Sequence, residues 1–197
     1  MSGTLDIILG PMFSGKSFEL IRRIRLLKIL EKKFMVVKPS IDNRYSKENV
    51  ICTHNYDKED CFCIQKLDEC FNYDLSEIDS IFIDEGQFFP DLKECVIKFI
   101  EEFKINVIIT GLDGDFQRKP FGQILDLIPY ADTCVKKSAL CKVCKNGTKA
   151  IFSHRINKDS NQDQILVGSV DSYIPVCRNH YLLLNHISVC NIVESSS

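Results

Sequence analysis

An eight-residue stretch near the N-terminus reads Gly10-Pro11-Met12-Phe13-Ser14-Gly15-Lys16-Ser17, which matches the phosphate-binding pattern G-x-x-x-x-G-K-[S/T] at every fixed position. Such a loop turns backbone N–H groups toward phosphate oxygens, and its glycines leave room where a Cβ would block the approach. The Lys16 ammonium would meet the outer phosphates. The Ser17 hydroxyl would bind Mg²⁺. Ser17 would also begin a helix, and the positive end of that helix dipole favours an anion. The pattern therefore predicts a cradle for a nucleoside triphosphate.

The segments on either side of this loop favour the order strand, loop, helix that the pattern requires. Leu5 to Leu9 is a short apolar run typical of a buried parallel strand, and Ser17 to Glu31 has the apolar spacing of a helix. A chance glycine turn is the alternative, and these flanks make it the weaker interpretation. The apolar positions of the expected helix are Phe18, Ile21, Ile24, Leu27 and Ile29 or Leu30.

Composition is that of an ordinary globular protein. The 197 residues are 45% hydrophobic and 26% charged, with a formal net charge of -2, so bulk charge gives no sign of a nucleic-acid partner. The chain has no long apolar stretch and Met1 to Asp6 lacks a signal-peptide pattern, so we expect a cytoplasmic protein that does not enter a membrane. Its ten cysteines are then expected to be buried thiols, metal ligands or nucleophiles rather than disulfides.

Two carboxylates follow the apolar run from Ser80 to Asp84. An apolar strand that ends in Asp is typical of the Walker B arrangement. In a parallel sheet this strand end lies beside the phosphate loop, where Asp84 can hold Mg²⁺. The adjacent Glu85 points elsewhere on the pleat and can accept a proton from an attacking hydroxyl or water. An acidic strand end in solvent is the alternative.

Two more polar loops follow predicted strands. Residues 40–55 include Asp42 and Arg44, and the stretch from Gly111 to Gly122 combines three glycines, two basic residues and two phenylalanines. Aromatic rings and an arginine on one loop suit a pocket for a flat base beside a phosphate site. For any one of these residues alone, a solvated or core position is the commoner outcome.

The alternation of strands and helices predicts an α/β fold, a P-loop NTPase-type parallel sheet with helices on both faces. We expect this domain to span residues 1–138. The expected strands are residues 5–9, 34–38, 61–64, 80–84, 106–110 and 133–137, and the expected helices are residues 17–31, 91–103 and 123–128.

A second group of motifs begins at Cys141-Lys142-Val143-Cys144 and is completed by Cys177-Arg178-Asn179-His180. Two close pairs of such ligands suit tetrahedral Zn²⁺ with no open position, which predicts a structural site at Cys141, Cys144, Cys177 and His180. A redox pair or plain buried thiols are alternatives, but neither explains the second pair. The polar segment between the pairs is expected to form no core of its own and to act as a lid, residues 139–182, before a disordered tail, residues 183–197.

In this order the motifs resemble the type II thymidine kinases, the class that includes the cytosolic cellular enzyme and its viral and bacterial relatives. The resemblance runs from about Leu5 to about Tyr181. It implies transfer of the γ-phosphate of ATP to the 5′-hydroxyl of thymidine, and of deoxyuridine, in deoxynucleotide salvage. Besides the phosphate loop and the zinc set, the matching strings are Asp42-Asn43-Arg44-Tyr45, Cys52-Thr53-His54, Asp84-Glu85-Gly86-Gln87-Phe88-Phe89, Gly111-Leu112-Asp113-Gly114 and Phe116-Gln117-Arg118-Lys119-Pro120-Phe121-Gly122.

The resemblance also implies roles for individual residues. Glu85 is the implied general base, and Arg44 or Arg118 neutralises charge on the transferring group. The implied cofactors are structural Zn²⁺ and the Mg²⁺ that accompanies ATP, held by Ser17 and Asp84. The implied ATP and phosphate set is Gly10, Pro11, Met12, Phe13, Ser14, Gly15, Lys16, Ser17, Asp42, Arg44, Asp84 and Gln87. The implied nucleoside set is Met12, Phe88, Leu112, Phe116, Phe121, Ser153, Gln164, Ile165, Leu166 and Tyr173, with backbone groups acting at the last four.

Kinship further implies a homotetramer and feedback inhibition by thymidine triphosphate. The chain departs from the family pattern at His180, where some relatives have cysteine, at Ser153, where threonine is familiar, and at Asn55, where an acid is common. Two extra residues after Cys144 could shift the register used for Ser153.

Two other classes of function stay open at the level of sequence. One is a P-loop ATPase in which Glu85 polarises water instead of a nucleoside hydroxyl. The other is a zinc-knuckle module for nucleic acid, favoured by Lys142, Lys145, Lys149 and Arg155, although four cations on a chain of net charge -2 are more often a solvated face.

Overall fold

A computed structural model describes residues 2–41, 50–52, 58–156 and 172–187. Short 3₁₀ helices cover Leu67–Asn72, Gly86–Phe88 and Ile124–Tyr130. The α-helices are α1 (Lys16–Ile29), α2 (Leu92–Glu101) and α3 (Arg178–Leu184). The strands are β1 (Leu5–Leu9), β2 (Phe34–Pro39), β3 (Val50–Cys52), β4 (Lys58–Asp60), β5 (Phe62–Ile64), β6 (Ser80–Ile83), β7 (Asn106–Gly111), β8 (Thr133–Lys136), β9 (Ala139–Leu140), β10 (Lys149–Ala150), β11 (Phe152–Arg155) and β12 (Tyr173–Val176).

Six strands form one sheet in the order β5-β2-β6-β7-β1-β8, and every neighbouring pair is parallel. All six carboxyl ends therefore lie at one edge, where such sheets carry their functional loops. In the central register Ile7 of β1 is opposite Ile109 of β7, and Ile83 of β6 is opposite the same residue. The loops after β1, β6 and β7 are consequently neighbours.

Helices cover both faces of this sheet, as the sequence predicted. Successive strand residues point to opposite faces. Leu5, Ile7 and Leu9 pack in the buried cluster that contains α2, whereas Ile8 packs with Leu20 and other residues of α1. The parallel α/β fold class is confirmed, and its strands are apolar because both faces are buried.

The helix expected over residues 17–31 is present as α1, but not all of the apolar positions that indicated it face the sheet. The residues that pack against the sheet are Leu20, Ile21 and Ile24, whereas Phe18 is 51% exposed and Ile29 is 77% exposed. At about 100° per residue, Phe18 and Ile29 lie on the far side of the helix from the buried stripe. Apolar spacing alone does not show which side of α1 meets the sheet.

The segment between the cysteine pairs was expected to form no core, and this expectation is also wrong. Hairpins β9–β10 and β11–β12 pack with α3 around a small cluster that includes Ala150, Val176 and Tyr181. Phe13 of the loop after β1 packs against the same cluster. Residues from the two ends of a long segment build this core together, so a window that moves along the sequence does not detect it. We call residues 139–156 and 172–187 the zinc unit.

Two other features of the fold differ from the expected pattern. The hairpin β3–β4 lies in a region expected to be an irregular loop. Helix α3 runs to Leu184, beyond residue 182 where we placed the end of the lid. The three-part division of the chain stays a prediction, and residues 188–197 lie outside the described part. Among the described residues, no helix is long and apolar enough to cross a bilayer.

Candidate active site and zinc-ligand cluster

The loop between β1 and α1 is tightly built. Gly10 has φ 148°, and a Cβ there would lie 2.6 Å from the Lys137 carbonyl oxygen. Gly15 has φ 77° and directly precedes α1. Both positions therefore favour glycine, one for space and both for backbone conformation. This geometry explains the two fixed glycines of the motif.

Two side chains of the same loop are poised for an anion. Lys16 is 6% exposed, and its ammonium donates to the Pro11 carbonyl at 3.0 Å. The Ser14 hydroxyl is buried, and the described residues offer it no hydrogen-bond partner. A buried hydroxyl without a protein partner, beside a lysine and a helix N-terminus, suits phosphate oxygens.

Asp84 lies directly after β6, on the sheet face that α1 covers. It is 5% exposed, and the Ser17 hydroxyl lies 3.3 and 3.4 Å from its two carboxylate oxygens. The Thr110 hydroxyl at the end of β7 donates to the same carboxylate. A carboxylate and a hydroxyl at this spacing are the oxygen ligands that Mg²⁺ prefers, so these residues fit the metal expected with ATP.

Glu85 has a different environment from its neighbour. Its φ of 51° is in the left-handed region, and the chain turns here into the 3₁₀ helix Gly86–Phe88. The side-chain amide of Gln87 donates to the Glu85 carboxylate at 2.6 Å and accepts the Leu112 N–H at 3.0 Å. Adjacent carboxylates thus face different groups, with Asp84 next to Ser17 and Glu85 linked to the loop after β7.

An apolar cluster lies beside these acids. Met12, Leu112 and Phe121 are buried together. Phe88 meets Phe121 edge to face, with ring centroids 5.2 Å apart, and Tyr173 of β12 also packs against the cluster. Aromatic and aliphatic walls of this kind suit a flat, largely apolar ligand.

The zinc unit contacts both loops of the site. The Ser153 hydroxyl accepts the Met12 N–H at 3.0 Å, and the Tyr181 hydroxyl donates to the Phe116 carbonyl at 2.7 Å. The Arg118 guanidinium lies 4.6 Å from the centroid of the Tyr181 ring, a cation–π contact. These bonds join the zinc unit to the main sheet around the apolar cluster.

The four predicted zinc ligands come together. One ligand atom from each of Cys141, Cys144, Cys177 and His180 lies within 4.8 Å of the others. The sulfurs of Cys144 and Cys177 are 3.8 Å apart, and His180 Nδ1 lies 3.2 to 3.6 Å from the three sulfurs. Zinc–sulfur bonds of about 2.3 Å give a tetrahedron with edges of about 3.8 Å, so the cluster has the size for Zn²⁺.

Backbone groups also favour the thiolate form of one ligand, Cys141, whereas burial raises the pKa of Cys144 in the same cluster. Burial by itself raises the pKa of Cys141, but backbone hydrogen bonds from Cys144, Cys177 and Val143 lower it to about 6. A thiol with a lowered pKa is a thiolate at neutral pH, which is the form that binds metals.

Comparison with known proteins identifies the family of this chain. The profile of the family described as thymidine kinase matches residues 3–181. The chain belongs to the thymidine kinase family. It is 43% identical to thymidine kinase a of Arabidopsis thaliana, over 95% of this chain and 78% of the relative. It is 42% identical to the thymidine kinase of variola virus, over 91% of this chain and 97% of the relative. It is also 42% identical to thymidine kinase 1 of Dictyostelium discoideum, over 92% of this chain and 78% of the relative.

Many residues expected from kinship with the thymidine kinases lie close together. Met12, Leu112, Phe121, Phe88 and Tyr173 form one cluster, and Ser153 is bonded to its edge at Met12. Their role in binding a nucleoside stays a prediction.

Other expected residues lie elsewhere or outside the described part. The Phe116 ring meets the Arg155 guanidinium at 5.1 Å, and Arg118 is directed to Tyr181 of the zinc unit. Outside the described residues are Asp42, Arg44, Gln164, Ile165 and Leu166.

For three residues at the site, the structure shows contacts that the sequence analysis did not predict. Thr110 follows Ile109, whose register partner Ile83 precedes Asp84, so a polar residue near the end of an apolar strand was the available signal. Gln87 was grouped with the phosphate ligands, but its amide joins Glu85 to Leu112. Tyr181 follows a zinc ligand directly, and no local pattern indicates its bond to a loop 65 residues away.

Proposed function

We propose that this member of the thymidine kinase family transfers the γ-phosphate of ATP to the 5′-hydroxyl of thymidine, with deoxyuridine as a second acceptor. The observation that carries the proposal is the environment of Glu85. Its neighbour Asp84 contacts Ser17 of the phosphate loop, and its own carboxylate is linked through Gln87 to Leu112 of the apolar cluster. A carboxylate between a phosphate loop and an apolar pocket suits phosphoryl transfer to a nucleoside.

In the proposed reaction Glu85 takes the proton from the 5′-hydroxyl. The oxygen forms a bond to the γ-phosphorus as the bond from that phosphorus to the ADP oxygen breaks. Backbone N–H groups of the loop from Gly10 to Gly15 and the Lys16 ammonium hold the phosphates. The apolar cluster orients the base and excludes water from the reacting groups.

Ser17 and Asp84 are the residues that would hold Mg²⁺, and Thr110 orients the carboxylate for it. When bound there, Mg²⁺ would neutralise charge on the phosphates of ATP. Arg44 stays our candidate for charge on the transferring group. Arg118 is the second candidate, although its guanidinium is engaged by the Tyr181 ring.

The proposed zinc site has a structural role. Cys141, Cys144, Cys177 and His180 fill all four positions of a tetrahedron and leave none for a reacting water. The zinc unit then supplies Ser153 and Tyr173 to the nucleoside pocket.

Several finer features follow from the same proposal. Thymidine triphosphate is expected to inhibit, because its base and its phosphates can occupy the acceptor and phosphate sites together. A homotetramer and a cytoplasmic location stay predictions of kinship.

The direct test is transfer of labelled γ-phosphate from ATP and Mg²⁺ to thymidine, with the other deoxynucleosides and a tube without nucleoside alongside. Labelled thymidine monophosphate is the expected product, and deoxyuridine monophosphate the second. Free phosphate released equally in every tube would support an ATPase and contradict the proposal.

Glu85→Gln tests the assigned base. The variant keeps the shape of the side chain but cannot take a proton, so kcat should fall by about 10²- to 10⁴-fold while ATP still binds. Glu101→Gln makes the same change on an exposed residue and should keep full activity. Full turnover by Glu85→Gln would remove Glu85 from the role of base.

A further inference from the structure

We propose that Gln87 is a positioning residue, which holds the Glu85 carboxylate in place and links it to the wall of the nucleoside pocket. This inference rests on the proposed function, since it assigns how the proposed base is oriented. It differs from the phosphate-binding role that kinship implied for Gln87.

The orientation of the Gln87 amide is fixed by its partners. The backbone N–H of Leu112 can only donate, so the amide oxygen must face it, at 3.0 Å. The amide nitrogen then faces Glu85 and donates to its carboxylate at 2.6 Å. The uncharged amide thus favours an ionised Glu85 and adds no charge of its own to the site.

The backbone around Gln87 leaves it little freedom. The side chain is 3% exposed, and a Cβ at Gly111 would lie 2.5 Å from its amide oxygen. A Cβ at Gly122 would lie 2.1 Å from its carbonyl oxygen. The two ends of the Gly111–Gly122 loop therefore close around Gln87, and glycine is required for space at Gly122, where the close atoms are those of the Gln87 backbone.

The same contacts connect the base to the pocket. Leu112 follows Gly111, Phe121 precedes Gly122, and both belong to the apolar cluster. Phe88, the residue after Gln87, meets the Phe121 ring. If binding of a nucleoside shifts the loop, the Leu112 N–H moves with it. The Gln87 amide, which is bonded to that N–H, would then move the Glu85 carboxylate.

Gln87→Glu separates positioning from packing because its effect depends on pH. A protonated carboxylic acid reproduces both bonds of the amide: its carbonyl oxygen accepts the Leu112 N–H and its O–H donates to Glu85. When ionised, it loses the donor and repels Glu85, so the two carboxyls titrate as a pair. The other hydrogen-bond partner of this side chain is the backbone N–H of Leu112 in the Gly111–Gly122 loop, and the acid next to Glu85 is Asp84.

We therefore expect kcat of Gln87→Glu to be about 10- to 100-fold below that of the parent at about pH 8.5. The ratio of variant kcat to parent kcat should rise toward one as the pH falls to about 6. Gln87→Met fills similar space without hydrogen bonds, and its kcat should be low at every pH. Gln65→Glu makes the matched change on an exposed residue and should follow the parent. Melting temperature and zinc content, measured on each full-length variant, separate loss of fold from loss of positioning.

Three results would overturn the inference. A ratio of variant to parent kcat that does not change with pH would mean that Gln87 acts only through packing. A raised KM for ATP with unchanged kcat would return Gln87 to the phosphate-binding set. Unchanged kcat in Gln87→Met would show that its hydrogen bonds do not matter. If the parent itself transfers no phosphate to thymidine, the proposed function fails first and this inference falls with it.

Discussion

At the scale of single residues, the site depends on the way the chain separates two adjacent carboxylates. Asp84 continues the alternation of β6 and faces α1, where it contacts Ser17. Glu85 has a positive φ, and this turn directs its carboxylate to Gln87. A regular strand would also place the two on opposite faces, but it would not bring Glu85 to the loop after β7. The left-handed residue is thus part of how one dipeptide could supply both the proposed metal ligand, Asp84, and the proposed base, Glu85.

Thr110→Val tests the support of the metal ligand. The variant keeps the shape of the side chain but removes the hydroxyl that donates to Asp84. Without this bond the Asp84 carboxylate is less firmly oriented and should bind Mg²⁺ more weakly. The Mg²⁺ concentration that gives half-maximal activity should therefore rise by about tenfold or more. Titration of activity with Mg²⁺ at saturating ATP measures this.

Thr133→Val is the matched control for this experiment. Its hydroxyl also donates to an aspartate, Asp6, at 2.5 Å, but near the opposite edge of the sheet. The Mg²⁺ dependence of this control should equal that of the parent. An unchanged Mg²⁺ dependence in Thr110→Val would mean that Asp84 is oriented without it.

At the scale of elements, α1 is tied to β1 by charge as well as by packing. Glu19 binds Arg22 through both oxygens, at 2.7 and 2.8 Å, and Arg23 at 3.1 Å. Arg23 also pairs with Asp6 of β1. These contacts, the bond to Arg22 first, lower the pKa of Glu19 to about 2. The helix that carries Lys16 and Ser17 is thereby fixed on the strand that precedes the loop.

This network predicts a pH-dependent effect of Glu19→Gln. Because the folded pKa of Glu19 lies below that of the unfolded chain, its stabilisation is fully present above about pH 4.5 and is lost as pH falls through about 2. Arg22 is half exposed, so solvent reduces the gain, and the variant should lose up to about 1 kcal/mol of unfolding free energy at pH 7. Urea unfolding at pH 7 and at pH 2 to 3 measures the change.

Glu94→Gln is the control for this prediction, since the Glu94 side chain, which pairs with Lys98 on α2, is 73% exposed whereas that of Glu19 is 19% exposed. We expect it to change stability by a smaller amount, a few tenths of a kcal/mol. A loss in Glu19→Gln that persists undiminished at pH 2 would show that packing, not charge, is responsible.

The sequence predicted elements well where their signal is local. The buried parallel strands are short apolar runs, so β1, β6 and β7 lie within a residue of the predicted bounds. The glycine loop and the cysteine pairs were predicted because fixed spacing carries their chemistry. The side of α1 that is buried, the hairpin β3–β4 and the core of the zinc unit depend on contacts between distant segments. No window of the sequence contains both partners of such contacts.

At the scale of the whole molecule, the exposed side of α1 is relevant to the predicted homotetramer. Phe18, Leu26, Ile29 and Leu30 are all between 47% and 77% exposed. Apolar side chains grouped on one helix favour contact with a second copy. Sedimentation of the parent should give a mass of four chains, and Leu26→Glu should lower it, whereas Lys28→Glu on the same helix should lower it less. A monomeric parent at micromolar concentration would contradict the prediction.

Under the proposed function, the zinc unit makes the nucleoside pocket depend on a metal site that takes no part in the reaction. Cys177 and His180 lie at the start of α3, and Tyr181 of the same helix bonds the Phe116 carbonyl. Ser153 of β11 bonds the Met12 N–H. The phosphate loop also contacts the zinc unit, through Met12 and Phe13, but it is held in addition by β1, by α1 and by their neighbours in the sheet. Loss of zinc should therefore weaken binding of thymidine more than binding of ATP.

Cys144→Ser and chelation of zinc from the parent both test whether loss of zinc weakens thymidine binding more than ATP binding. Each should remove zinc, lower the melting temperature and weaken thymidine binding by about tenfold or more, since two hydrogen bonds to the pocket loops are lost. Binding of ATP should weaken by less than that. Cys134→Ser changes an exposed cysteine of β8 outside the ligand cluster and should keep zinc and both affinities. Calorimetry with each ligand, together with metal analysis, gives the comparison. Normal thymidine binding by protein shown to be free of zinc would mean that the pocket holds its shape through the sheet alone.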